Sequence, residues 1–412
     1  MKKKTELILP AGNYKKLKYA FLYGADACYF GLPDFSIRNR STNFNLKTLK
    51  KAIEYSHSLG KKCYITINTY PHNQEFKKLS QYLQGLKKSP PDAVIISDVG
   101  VLNLVKKYLP QINIHLSTQA NTVNYESVIF WQKNGIKRII LARELSLKEI
   151  KEIRKKCPRI ELEIFIHGSM CVAYSGRCLL SLYMTERDAN RGECAQPCRW
   201  RYSSYFLEEK LRPNEFWPIE ENKQGTYILN SKDLCLIDYL PQLFKIGLDG
   251  FKIEGRAKSI YYLALVTKIY REAIDLLYNS KIKEYYQKLP KFHQELETIH
   301  NRGYTSGFIT GQLKSLQNYN SSRPQSCWQF CGEIIKYNRR TKEVIILVHN
   351  RILPRKEIEF ITPNSQFKFK IKKIINIKNE VIESAHAGYL IKEKVPFELL
   401  PGTIIRQKLI KK

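Results

Sequence analysis

At 412 residues, 43% of them apolar, the chain is long enough for one large domain and a small one. Its 69 Lys and Arg against 38 Asp and Glu leave a net charge of +31, the balance of a protein that binds a polyanion. No run reaches the roughly 18 apolar residues of a membrane span, and the apolar run after the leading lysines is too short for a secretory signal. A cytoplasmic protein with no membrane partner is expected, so its ten cysteines stay thiols or bind metal.

From the N-terminus to about residue 280, short apolar runs alternate with amphipathic ones. The strands are predicted at Glu6–Leu9, Ala27–Phe30, Cys63–Asn68, Ala93–Ser97, Asn113–Ser117, Arg138–Ala142, Glu161–Ile166 and Gly250–Glu254. Between them Tyr14–Leu22, Leu46–Ser58, Phe76–Leu86, Val101–Tyr108, Tyr125–Lys133 and Leu147–Lys155 repeat apolar residues near i, i+3, i+4, as helices do. Eight such units predict an α/β fold, a (β/α)8 TIM-like barrel over residues 1–300, with an open doubly wound sheet as the alternative because periodicity does not report closure. A cysteine-rich insertion, 168–230, follows strand seven. After it, Ser231 to Lys245 is expected as the helix before strand eight, capped by Ser231 and Asp233. The polar stretch 301–327 is predicted as a linker, and the short alternating runs of 328–412 as a small β-barrel domain.

Four cysteines stand inside the insertion as Cys171-x6-Cys178-x15-Cys194-x3-Cys198, among Gly168, Gly176 and Gly192. Structural zinc usually takes two short cysteine pairs, and here Cys194 and Cys198 form the sole short one. The wide, uneven spacing suits an iron–sulfur cluster, with zinc as the alternative metal and Cys235 as the alternative fourth ligand, and a [4Fe-4S] cluster is the expected cofactor. A barrel puts its chemistry at the C-terminal ends of its strands. Those positions include Arg38, Asn68, Asp98, Thr118 to Asn121, Arg143 with Glu144, His167, and Glu254 with Arg256. His167, four residues before Cys171, is a candidate acid or base, and Arg143, Glu144 and Arg256 are candidate catalytic residues.

Glu163, Phe165, Gly168, Ser169, Cys171, Gly176, Cys178 and Ser181 stand in the arrangement of the signature of the U32 family, historically labelled collagenase-like peptidases. The resemblance extends through NSKDLCLIDYLPQL, FKIEGRAKSIYYLALVTKIYREAID and LILPAGNYKKLKYAFLYGADACYFG, and within the family it is greatest to the bacterial tRNA-hydroxylation branch. That resemblance implies a tRNA substrate, 5-hydroxyuridine formation at the wobble position, prephenate as hydroxyl source, an iron–sulfur cluster and, as a partner, a paralogous U32 subunit. Prephenate carries two carboxylates, which Arg38, Arg143, Arg177, Arg256 and Lys252 are placed to bind. The alternatives are a U32 collagenase-like peptidase and a non-catalytic, metal-stabilised RNA-binding protein. The sequence has neither HExxH nor GxSxG, which leaves the peptidase without a recognisable motif.

Overall fold

Eight strands pair in parallel and in sequence: β1 (Glu6–Pro10), β2 (Ala27–Gly31), β3 (Lys62–Ile67), β4 (Ala93–Ile96), β5 (Asn113–Leu116), β6 (Arg138–Ile140), β7 (Glu161–Ser169) and β8 (Gly250–Ile253). Because β8 pairs with both β7 and β1, the sheet closes into a barrel. The computed structural model describes residues 4–32, 34–37, 44–171, 173–175, 177–200, 207–208, 216–217, 221–222, 225–226, 231–311 and 326–409. Strands β1, β2 and β4 are buried throughout, which is why they read as unbroken apolar runs.

The outer helices lie within two residues of the predicted ones: α1 (Tyr14–Leu22), α2 (Leu46–Ser58), α3 (Phe76–Leu86), α4 (Val99–Tyr108), α5 (Tyr125–Lys133) and α6 (Leu147–Lys156). They are followed by α7 (Leu240–Ile246), α8 (Ile260–Tyr278) and α9 (Ile282–Glu297). Asn13, Asn45, Asp98, Asn124, Ser146 and Ser259 each accept a backbone N–H at a helix start, satisfying a donor that the helix itself leaves open. Among the described residues, no helix is long and apolar enough to cross a membrane.

One predicted helix is corrected. Asp233–Cys235 is a strand, antiparallel to the last residues of β7, and the helix begins only at Leu240. The reason is that β7 runs on to Ser169, three residues past its predicted end, and presents an edge that Asp233 to Cys235 fills. Asp233 takes no capping role; its buried carboxylate pairs with Arg302. Tyr304–Thr305, inside the predicted linker, adds a further strand beside Asp233 and Leu234.

The barrel interior is charged at its N-terminal end. Arg138 is buried there and donates to Glu6 at 2.7 Å, to Glu161 at 2.8 Å and to Glu163 at 3.2 Å. Burial alone would raise the Glu6 carboxyl, but Arg138, Lys62 and Tyr64 outweigh it and hold the pKa at about 2.

From Trp328 to Lys408, eight strands form one antiparallel sheet around a separate apolar core. Among the described residues its end strands, Gln366–Lys370 and Val381–Ile382, do not pair with each other, so the expected small β-barrel is an open sheet folded over its core. Two buried polar clusters dock it on the barrel. Arg406 donates to Glu359 of its own sheet at 2.6 Å and to Glu295 of α9 at 3.0 Å. Glu333 accepts from Lys15 and Tyr19 of α1 and from His349.

Glu333 gives a pH prediction. Burial would raise its pKa, but the hydrogen bonds from His349, Lys15 and Tyr19 depress it to about 2. A carboxyl depressed on folding stabilises above its unfolded pKa of about 4.3 and loses that contribution as pH falls through its folded value. The unfolding temperature is therefore expected to drop between about pH 5 and pH 2, and Glu333→Gln to be less stable near neutrality but to show a shallower acid slope. An unchanged slope in thermal melts of the variant would contradict this assignment.

Candidate active site at the barrel mouth

A cavity of about 260 Å³ opens at the C-terminal ends of the strands. Its wall takes Tyr29 from β2, Thr66 and Asn68 from the end of β3, Ser117 to Gln119 after β5, Arg143 after β6, Phe165 from β7, and Lys252, Glu254 and Arg256 from β8 and its loop. Cys171, Cys178 and Cys194 of the insertion complete it.

Three cationic side chains reach this wall, each held by a specific partner. Lys252 is buried, with Nζ 2.8 Å from Glu163 Oε1 and 4.3 Å from the centre of the Tyr29 ring. Burial lowers its pKa, while the Glu163 carboxylate opposes that shift. Arg143 Nη1 donates to the Ser169 carbonyl at 2.6 Å, and its guanidinium lies 4.4 Å over the Phe165 ring. Arg256 Nη1 donates to Ser36 Oγ at 2.6 Å in a space that only a residue without Cβ at position 31 leaves open: a side chain on Gly31 would overlap both groups.

The cysteine loop is tied down by the polar residues between its sulfurs. Ser181 is buried, donating to the Arg187 carbonyl at 2.7 Å and accepting the Ala195 N–H at 2.9 Å, which fixes the chain beside Cys194. Asp188 caps the turn Ala189–Arg191 through the Asn190 N–H, and Arg191 grips both oxygens of Glu75 at 2.9 and 3.1 Å. Arg177 Nη2 donates to the Gln119 carbonyl at 3.1 Å and joins the loop to the β5 end of the wall. Cys198 lies half-buried in the turn Pro197–Arg199, outside the cavity lining. Cys235 is buried with Sγ 3.6 Å from the Tyr270 hydroxyl, and burial pushes its thiol up to about 11. Among the described residues, the His, Cys, Asp and Glu ligand atoms that gather in threes within 4.8 Å are those of His57, Cys63 and Asp92, so no three of the loop sulfurs are that close.

The sequence profile of Peptidase family U32 matches residues 12–318, and that of the Peptidase family U32 C-terminal domain matches residues 326–406. The chain belongs to the U32 family. This U32 protein is 39% identical to tRNA hydroxylation protein P of Haemophilus influenzae, over 96% of its own length and 94% of that relative. It is 31% identical to the 23S rRNA 5-hydroxycytidine C2501 synthase of Escherichia coli, over 83% of this chain and 50% of that one. It is also 32% identical to a Porphyromonas gingivalis protein named collagenase, over 74% of each chain.

Of the residues singled out in the U32 sequence, the cavity brings together Cys171, Cys178, Cys194, Arg143, Lys252 and Arg256. His167 is turned out of it. Strand alternation puts Glu163 and Phe165 inward and would put His167 there too, but Lys252 pairs with Phe165 and Ile253 with His167, leaving Ile166 as an extra, bulged residue. One inserted residue flips every side chain beyond it. His167 Nδ1 therefore lies 3.2 Å from the Tyr270 hydroxyl, among the rings of Tyr262, Tyr270 and Tyr304, and burial lowers its pKa to about 3. It is a neutral packing residue and not an acid or base of the cavity. Glu144 lines a separate surface groove with Ser146, Lys148 and Glu149, in the turn that follows β6. Arg38 lies outside the described residues. Tyr29 and Phe165 as walls, and Glu163 as counterion to Lys252, were not singled out for those roles in the sequence; the alternation of β2 and β7 is the signal that would have placed them inward.

Proposed function

We propose that this chain is a tRNA-modifying enzyme that hydroxylates wobble uridine at C5. In this reading a [4Fe-4S] cluster is held by Cys171, Cys178, Cys194 and Cys198, and prephenate supplies the hydroxyl group. The observation that carries it is the meeting of three thiols and three cationic side chains on one cavity wall. The relatives named for tRNA hydroxylation and rRNA hydroxycytidine synthesis support the reaction class.

The donor set fits a cluster. Structural zinc usually takes two short cysteine pairs, and Cys194 and Cys198 form the one short pair here. Cys235 is committed to the Tyr270 hydroxyl, which favours Cys198 as the fourth ligand. Bound there, the cluster would supply a metal centre for redox or Lewis-acid chemistry facing the substrate.

The other roles fall to the chain's own side chains. Arg143 and Arg256, already oriented by Ser169 and Ser36, present permanent positive charge to carboxylates. Tyr29 and Phe165 offer apolar ring faces to a base that must leave its stack to enter. Exposed Tyr174, Tyr183 and Trp200 on the insertion provide stacking surfaces for neighbouring anticodon bases. The net charge of +31 supports phosphate binding that weakens with salt. A peptidase reading finds no support at this site: among the described residues no histidine lines the cavity to activate a cysteine.

Nucleoside mass spectrometry tests the proposal. Expressed in a host whose tRNA lacks 5-hydroxyuridine, the wild-type chain should restore that nucleoside and its derivatives, and Cys171→Ala should restore none. Equal restoration by the variant would overturn the cysteine role; no restoration by either, with folded protein present, would overturn the activity.

A further inference from the structure

We infer that Gln119 recognises the target base through its Watson–Crick edge, an assignment that rests on the tRNA-modifying reading above. Gln119 is 4% exposed and is one of the residues that line the cavity, yet among the described residues neither Oε1 nor Nε2 of its amide has a hydrogen-bond partner. A buried amide left unpaired is costly, so a side chain kept in that state inside a cavity is poised for a ligand.

The chemistry of the amide selects the ligand. A carboxylate or phosphate offers acceptors alone and would meet Oε1 with repulsion. Uracil presents the O4 acceptor next to the N3–H donor, and a carboxamide matches that pair with two parallel hydrogen bonds. The flipped amide matches the N4–H and N3 of cytosine equally, so Gln119 anchors a pyrimidine by its pairing edge and does not by itself choose between the two.

The backbone beneath the amide is preorganised. Ser117 caps the turn Thr118–Ala120, Thr118 Oγ1 donates to the Leu141 carbonyl at 3.1 Å, and the Gln119 carbonyl accepts from Tyr70 Oη and Arg177 Nη2, each at 3.1 Å. Arg177 belongs to the cysteine loop, so the same contact sets the base-reading amide against the sulfurs. Little backbone freedom in this turn remains to be lost on binding.

The test compares anticodon stem-loop RNAs that carry uridine or 3-methyluridine at the wobble position, bound by the anaerobically purified full chain. Methylation at N3 removes the donor and blocks the edge for either amide orientation. Wild type should bind the uridine RNA at least about tenfold more tightly, the scale of a lost buried hydrogen bond. Gln119→Leu should bring the ratio to within about twofold while phosphate-driven affinity and iron content persist. Gln119→Glu, of nearly the same shape, should lose most of the ratio as well, because its carboxylate repels O4. A wild-type ratio near one, or a variant that keeps the wild-type ratio, overturns the inference and leaves the proposed function standing. No RNA binding by wild type would remove the proposed function itself, and this inference with it.

Discussion

Arg138→Met should destabilise the protein by about 3–5 kcal/mol, the cost of breaking a buried charge network from one side. Arg138 is the shared partner of three carboxylates, Glu6, Glu161 and Glu163, inside the barrel. Lys62 still serves Glu6 and Lys252 still serves Glu163 after the substitution, but neither reaches all three. Methionine fills much of the space and none of the charge. Without Arg138 the Glu6 carboxyl would titrate above its wild-type value of about 2, and the stability that this depressed pKa contributes above the unfolded carboxyl pKa would be lost. The deficit in urea unfolding should therefore be largest near about pH 7 and shrink toward about pH 4. A deficit under about 1 kcal/mol at neutrality would show that the network contributes little to holding the barrel closed.

Gly168→Ala is the second large effect, expected at about 2–5 kcal/mol from backbone strain plus overpacking. Gly168 has φ +114°, a conformation L side chains rarely adopt, and an added Cβ would overlap the Glu254 carbonyl oxygen, a backbone atom that cannot swing aside. The same glycine pairs with Leu234 and begins the segment that carries Cys171, so its displacement should also loosen the sulfurs and lower iron retention. Gly60→Ala is the control: φ is +63° there, but nothing lies within 4 Å of the added Cβ, so its cost should stay near 1 kcal/mol. Thermal unfolding of the two variants side by side measures the difference. Equal shifts would mean that the close approach to Glu254 does not matter.

Local patterns were readable and pairings across the chain were not. The barrel strands carry their own apolar signal because they are buried on both faces, and the helices carry their caps, Asn13 and Ser259 among them. Closure depends on β8 meeting β1 from 244 residues away, as in Glu6 against Gly250, which no periodicity encodes. His167 shows the same limit at finer scale: the bulge at Ile166 arises from register against Lys252 and Ile253, so alternation along β7 alone gives the wrong face. Ser231 and Asp233 look like a helix cap until the extended edge of β7 and the distant Arg302 claim that segment. In the site, the cysteine spacing and the strand-end cations Arg143, Lys252 and Arg256 were visible as residue types. That the Gln119 amide meets no partner among the described residues could not be read, since it depends on what fails to reach it.

The most direct test of the central claim is metal analysis of anaerobically purified protein with its visible spectrum. Four irons and four sulfides per chain, with a broad absorption lost in Cys171→Ala, are expected if the loop sulfurs hold a [4Fe-4S] cluster at the barrel mouth. One zinc and no iron would contradict it, making the cysteine loop a structural metal site and leaving the cavity without its proposed redox centre.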